Sequence, residues 1–317
     1  MINEGVKHVR TAEEKSSYRR RVLRRNVIGT LMAMPPFLGF VLFTLIPMGF
    51  SLWISFMDLR GAMLENATPI GFANYIAIFK DRLVLKALGN TGFYCLSVPI
   101  NLAACLFLAN LLYAHEVVGE KWLRIVFFLP QVCTGVAVTL MWSYVYSDIG
   151  MINIMCDNMG ISAFKAYSDK DHFRIALISI SLWQNGTNII LMQSALANVN
   201  KSLQEAARID GATEMQVFWK ITFPGVTPTL FYILIMNFVT ASQEMALMSV
   251  FLSDPKKGDY MGLTMSWYIY YTSSGGMGNA AGYGYGFASA LSWVYSIFLI
   301  IITRVGFKIS EKWVSYD

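Results

Sequence analysis

The charges of this chain are clustered, and the stretches they leave free are long enough to cross a lipid bilayer. A spanning helix needs about 20 mostly apolar residues, because 1.5 Å of rise per residue must cover about 30 Å of hydrocarbon. Six segments meet that length: 27–56, 87–114, 125–146, 173–199, 227–252 and 286–305. Pro35, Pro36 and Pro47 interrupt the first. A chain of 317 residues could otherwise hold two soluble domains, but 55% apolar and 14% charged residues argue against that. A soluble domain carries about 25% charge. The pattern predicts an all-α integral membrane protein of about six transmembrane helices.

Lysine and arginine set the orientation, since cytoplasmic flanks carry an excess of them. Arg19, Arg20, Arg21, Arg24 and Arg25 stand directly before the first apolar run. Lys121 and Arg124 follow the second, Lys201, Arg208 and Lys220 the fourth, and Arg304, Lys308 and Lys312 the sixth. With six spans these all fall on one side, so both termini are expected in the cytoplasm. The opposite loops are more balanced, with Asp58, Arg60 and Glu65 in one and Asp254, Lys256, Lys257 and Asp259 in another. The expected organisation is a basic tail (1–26), a first transmembrane helix (27–57), an extracytoplasmic loop (58–86), a core of five transmembrane helices (87–308) and a short tail (309–317). The net charge of +5 reads as this bias. No base-stacking aromatics or groove-reading motif accompany the basic block, so nucleic acid is not an expected partner.

No metal or catalytic constellation stands out. Cys95, Cys105, Cys133 and Cys156 form no Cys-x-x-Cys pair, and His8, His115 and His172 have no ligand spacing. The N-terminus does not read as a cleavable signal, because its charged region and apolar run are both too long. The glycine-rich stretch 275–286 lacks the preceding strand and the Gly-Lys-Ser/Thr ending of a phosphate loop, and is expected outside the membrane. If ATP drives this protein, another chain binds it.

Residues 200–226 sit between the fourth and fifth segments and are too charged to cross. Ser202 reads as an N-cap with Glu205 as its capping-box partner, Gly211 interrupts the run, and Pro224 and Pro228 close it. Leu203, Ala206 and Ala207, then Ala212, Met215, Phe218 and Trp219, recur at helical spacing. Two short amphipathic helices hinged at Gly211 are expected, and chemistry alone leaves two roles open. They could lie in lipid headgroups or insert into a groove on a partner.

The spacing Glu205-Ala206-Ala207, Gly211, then Ile221-x-Phe223-Pro224 resembles the Glu-Ala-Ala loop of ATP-binding-cassette importer permeases, with Phe223 where the family usually has leucine. Asp210-Gly211-Ala212 and Phe218-Trp219-Lys220-Ile221 are similar to its carbohydrate-importing branch. So are Gly71-Phe72-x-Asn74-Tyr75, Phe127-Phe128-Leu129-Pro130-Gln131, Trp183-Gln184-Asn185 and Tyr268-Ile269-Tyr270. The resemblance covers nearly the whole chain after the basic tail. It implies a coupling helix that docks on an ATPase through Glu205, Ala206, Ala207, Asp210 and Gly211. It further implies a second homologous permease, two ATPase subunits that bind ATP and Mg, and an extracytoplasmic sugar-binding protein, in the inner membrane of a prokaryote. No cofactor is expected on this chain.

A translocation path needs polar groups facing the bundle. The fourth segment offers Trp183, Gln184, Asn185, Thr187 and Asn188, and the fifth offers Asn237, Thr240, Ser242, Gln243 and Glu244. By resemblance to the maltose-importer permease, sugar contacts fall on Trp183, Gln184, Thr187, Asn237, Ala241 and Glu244. That family has asparagine where Ala241 and Glu244 stand here. Helical spacing places Asn237, Thr240 and Glu244 on one stripe, with Glu244 about 25 Å along the fifth segment. The substrate expected is a sugar, an oligosaccharide above all. An ion-coupled transporter would need paired ionisable groups within the bundle, and Glu244 has no acidic companion.

Overall fold

The computed structural model describes residues 12–61, 63–114, 120–133, 135–273 and 283–314. Most of loop 275–286 lies outside them. The described part opens with α1 (Ala12–Phe40), a π-turn (Val41–Leu45) and α2 (Ile46–Ile54). A short antiparallel pair, β1 (Met57–Asp58) and β2 (Thr68–Pro69), leads to α3 (Ala73–Lys80), α4 (Arg82–Cys95) and α5 (Ser97–Ala114). Next come α6 (Glu120–Val132), α7 (Gly135–Val145), α8 (Met151–Asn158), α9 (Lys170–Trp183) and α10 (Gly186–Ala197). Then follow α11 (Lys201–Ile209), α12 (Glu214–Val217), a second π-turn (Phe218–Thr222) and α13 (Phe223–Ser242). α14 (Ala246–Leu252), α15 (Lys257–Tyr260), α16 (Met265–Ser273) and α17 (Tyr285–Ser310) complete it.

Among the described residues, four helical stretches are long and apolar enough to cross a membrane: Val22–Ile54, Arg82–Tyr113, Glu214–Ser242 and Tyr285–Ser310. The third and fourth expected spans are bent pairs. Ile125–Gln131 meets Gly135–Val145 at 105°, and Lys170–Trp183 meets Gly186–Ala197 at 49°, so the count reaches six if each pair is one span.

The prolines expected to interrupt helices do not. Pro47 and Pro224 both sit in the first two positions after a π-turn, whose i→i−5 bonds run from Ile46 N–H to the Val41 carbonyl and from Phe223 N–H to that of Phe218. A proline removes one donor and crowds the carbonyl four residues back. Widening the turn before it relieves that crowding, so the helix continues. Pro228 is carried inside α13. The fifth segment, in contrast, ends early. α13 stops at Ser242, and α14 starts after a break at Gln243, Glu244 and Met245.

Among the described residues, two apolar cores hold the helices. One joins α4, α9, α14, α16 and α17 around Phe173, Ile180, Phe251, Tyr268, Phe287 and Leu291. The other lies where α5, α10 and α13 meet, around Cys105, Ala109, Met192, Leu196, Val226 and Ile233. Asn74 then ties the first span to the body. It is 9% exposed, and its amide donates to the carbonyls of Ser55 and Met57, both at 2.9 Å, while Tyr75 Oη pairs with Ser55 Oγ at 2.7 Å. Asp81 caps α4 by accepting from Leu83 N and also accepts from Tyr268 Oη. Burial, and then that bond to Asp81, push the Tyr268 phenol well above its usual range, so it stays a donor. Asn74→Leu should destabilise the protein by about 1–3 kcal/mol, the cost of buried carbonyls left unpaired. Thermal unfolding of the detergent-solubilised protein checks this, and an unchanged midpoint would contradict it.

Candidate coupling segment and translocation path

α11 and α12 form the expected pair of short helices, with different caps from those expected. Asn200 is the N-cap of α11. Its Oδ1 accepts from Ser202 N at 3.0 Å and from Ser202 Oγ at 2.7 Å. Ser202 is therefore a capped residue, and Glu205 serves no capping box. The box forms at α12, where Thr213 and Gln216 bond reciprocally. Among the described residues Glu205 has no hydrogen bond or ion pair, and its side chain is exposed.

The turn between these helices satisfies the end of α11. Gly211 N–H donates to Arg208 O at 3.1 Å and Ala212 N–H to Ala207 O at 2.9 Å, the bond pair of a left-handed helix stop. Gly211 takes φ +84°, and a Cβ there would meet nothing within 4 Å. Glycine is required by the dihedral, not by space. Arg208 Nε reaches Glu214 Oε1 at 2.7 Å and its NH2 reaches Oε2 at 3.0 Å, so a bidentate pair clasps α11 to α12. The clasp escaped sequence reading because the two residues are six apart and meet only through the turn. Gln204, 7% exposed, anchors the unit to the body through Thr222 Oγ1 at 3.2 Å.

This anchoring turns apolar side chains outward. Leu203 is 56% exposed, Ile209 86%, Met215 66% and Trp219 55%. Beside them Ala207, Asp210, Gly211, Gln216 and Lys220 line a hollow of about 330 Å³. Gly211→Ala should strain the turn by about 1–2 kcal/mol and reduce transport, whereas Gly211→Asn, which tolerates the left-handed region, should retain most of it. Uptake and ATPase co-purification measured together check this. Normal values for both in Gly211→Ala would remove the hinge role.

The fourth-span candidates sit at the 49° break between α9 and α10, and the structure divides them. Asn185 is 4% exposed and donates to Asn101 O at 2.6 Å, while Asn188 donates to Asn185 Oδ1 at 2.7 Å. These two amides stabilise the break itself. Trp183 ends α9, is 40% exposed, and meets Trp142 edge-on at 5.5 Å. Gln184 is the C-cap, and its carbonyl accepts from Gln131 Nε2. Thr187 is exposed in the first turn of α10. Asn101, the acceptor that anchors the break, lies 84 residues from Asn185 and gave no signal in sequence.

On α13 Asn237 is half-buried and Ala241 is 8% exposed. Glu244 lies beyond the helix, so the expected stripe is not continuous. Its Oε1 accepts from Leu247 N at 2.8 Å, starting α14, and its carbonyl accepts from Thr264 Oγ1 at 2.7 Å. A carboxylate suits that place because it meets the unpaired N–H groups of a new helix. Thr240 spends its hydroxyl on Met236 O, and Ser242 bonds Phe238 O. α10 packs on α13, but no hydrogen bond or ring contact joins Trp183, Gln184 and Thr187 to Asn237, Ala241 and Glu244 among the described residues.

Comparison with known proteins matches residues 11–316 to the family of binding-protein-dependent transport system inner membrane components. The probable ABC transporter permease protein YesP of Bacillus subtilis (strain 168) is 32% identical over 303 residues, covering 94% of this chain and 95% of YesP. The sn-glycerol-3-phosphate transport system permease protein UgpA of Yersinia pestis is 28% identical over 214 residues, covering 67% of this chain and 72% of UgpA. A chain of the bacterial alginate ABC transporter, solved in complex with an alginate pentasaccharide-bound periplasmic protein, superposes with a TM-score of 0.77. It is 23% identical, and the match covers 92% of this chain and 96% of that one.

Proposed function

Since this chain belongs to the binding-protein-dependent inner membrane components, the permease subunits of ABC importers, we propose that it forms, with a second homologous permease, the path for a sugar. It is a multi-pass inner-membrane protein, and ATP is handled by a partner ATPase. Two ATPase subunits and an extracytoplasmic sugar-binding protein complete the proposed assembly. An oligosaccharide is the proposed cargo, and both termini are proposed to face the cytoplasm.

The observation that carries the coupling role is the α11–α12 unit: a preformed turn at Gly211, an exposed Glu205, and Leu203, Ile209, Met215 and Trp219 facing outward. A rigid amphipathic unit of this kind fits a groove on a partner. Glu205, Ala206, Ala207, Asp210 and Gly211 are its proposed docking residues. For the path, support comes from two helix breaks. Trp183, Gln184 and Thr187 flank one, and Glu244 occupies another just past Asn237 and Ala241. Transporter sites recur where spanning helices are discontinuous. An indole face beside amides also suits a sugar, which presents both apolar ring faces and hydroxyls.

Affinity purification of the tagged chain from membranes tests the assembly. It should bring down a soluble ATPase and a second permease, and uptake should stop with ATPase inhibition. Uptake that instead collapses with an uncoupler alone would favour the ion-coupled alternative. Orientation has its own test. In a background lacking native cysteines, Ser274→Cys should react with an impermeant thiol reagent on intact cells and Ser16→Cys should not. Labelling of Ser16→Cys from outside would reverse the topology.

A further inference from the structure

α13 and α17 pack antiparallel, with Tyr295 Oη donating to Ser242 O at 2.7 Å near one end and the Phe231 and Phe307 rings 5.1 Å apart near the other. Along one side they leave an open groove of about 640 Å³. Val239, Leu299, Ile300 and Phe307 form its apolar walls. Gln243 and Ser296 stand at one end and Thr303 and Arg304 at the other, and among the described residues Arg304 carries the only formal charge in the lining. None of the residues proposed for coupling lies in it, and of the polar groups the fifth segment offers for a path only Gln243 borders it.

Arg304 is exposed, and among the described residues it has no acidic partner. Lys308 follows at four-residue spacing on the last turns of α17, which aligns two cations along its end, and Lys312 lies in the turn just beyond. From Ser296 to Phe307 the helix rises about 16 Å, close to half of the roughly 30 Å hydrocarbon layer. The groove thus has the length of one leaflet, apolar walls and a cation at one end. An arginine held against hydrocarbon is costly without a counter-charge, and a guanidinium takes a phosphate through two parallel hydrogen bonds.

We propose that this groove binds one anionic glycerophospholipid, its phosphate on Arg304 and one acyl chain along Val239, Leu299, Ile300 and Phe307. The leaflet follows from the orientation proposed above and is the cytoplasmic one. The binding itself does not depend on that orientation, so either can fail without the other.

Native mass spectrometry of the complete, lipid-stripped transporter tests the site with palmitoyl-oleoyl phosphatidylglycerol and the phosphatidylcholine of the same chains. The glycerol lipid should be retained about fivefold better, the worth of one arginine beside an anionic headgroup. Arg304→Gln should abolish that preference, Arg304→Lys should keep much of it, and Leu299→Trp, which fills the groove, should reduce retention of both lipids. The mass of the complex shows at once whether each variant has assembled. Equal preference in Arg304→Gln, or undiminished retention by Leu299→Trp, would overturn the proposal. So would an efficient cross-link from Ile300→Cys to the second permease, since a protein surface would then fill the groove.

Discussion

Gly186→Val should yield little or no folded permease. Gly186 opens α10, and a Cβ built there runs into the backbone carbonyl of Phe127 in α6 and comes within 3.1 Å of the Phe128 Cα. Extra methyl groups in a packed core cost about 1–3 kcal/mol where side chains can shift. Backbone cannot shift without parting the two helices, so the cost here is larger. The same joint carries the Gln131–Gln184 bond and the Asn185–Asn101 bond, which would be lost with it. Size-exclusion chromatography after detergent extraction gives the readout: a large loss of monodisperse protein for valine and a smaller one for alanine. A valine variant with normal yield and melting point would show that α6 and α10 do not approach so closely.

Glu244→Ala should cut uptake of the proposed sugar by about tenfold, the loss of one charged hydrogen bond to substrate or path, with assembly and ATPase activity retained. The structure adds a second effect to that expectation. Because Glu244 Oε1 accepts from Leu247 N, alanine also removes a helix cap, worth about 0.5–2 kcal/mol. Glu244→Gln separates the two, since its amide oxygen keeps the acceptor while the charge is removed. If Glu244 lines the path, alanine impairs uptake beyond what its shift in melting point explains, and glutamine retains more. Normal uptake by alanine leaves Glu244 as a cap alone. Loss of assembly in both variants would make it a structural residue.

The coupling segment was the most legible part of the sequence, because its physics is local. Gly211 between two runs of helix formers marks an interruption, and the structure makes it a left-handed stop with φ of +84°. Competition between neighbouring caps was harder to read. Asn200 and Ser202 are both good N-caps, and Asn200 prevails by binding both the backbone and the hydroxyl of Ser202. Prolines misled for a related reason. Their cost is fixed by geometry, but one wider turn can absorb it, and Pro47 and Pro224 each follow such a turn. The break after Ser242 lay hidden in an apolar run reaching Leu252, since hydropathy does not register a change of direction. The trace it left was Glu244, a lone carboxylate whose acceptor oxygens are those a new helix needs. Asn101 and the Arg208–Glu214 clasp were beyond reach, as both depend on chain crossings that no periodicity encodes.

The clasp and the stop at Gly211 also bear on the entropy of association. A disordered loop would lose about 1–2 kcal/mol of backbone freedom for every residue fixed on docking. α11 and α12 are already fixed by Asn200, the Gly211 turn, the Arg208–Glu214 pair and the Gln204–Thr222 bond. In the proposed assembly, engagement and release of the ATPase therefore exchange surface contacts without a folding step. The heat-capacity change of that association should then scale with the apolar surface of Leu203, Ile209, Met215 and Trp219, and fall well short of the large values that accompany folding on binding.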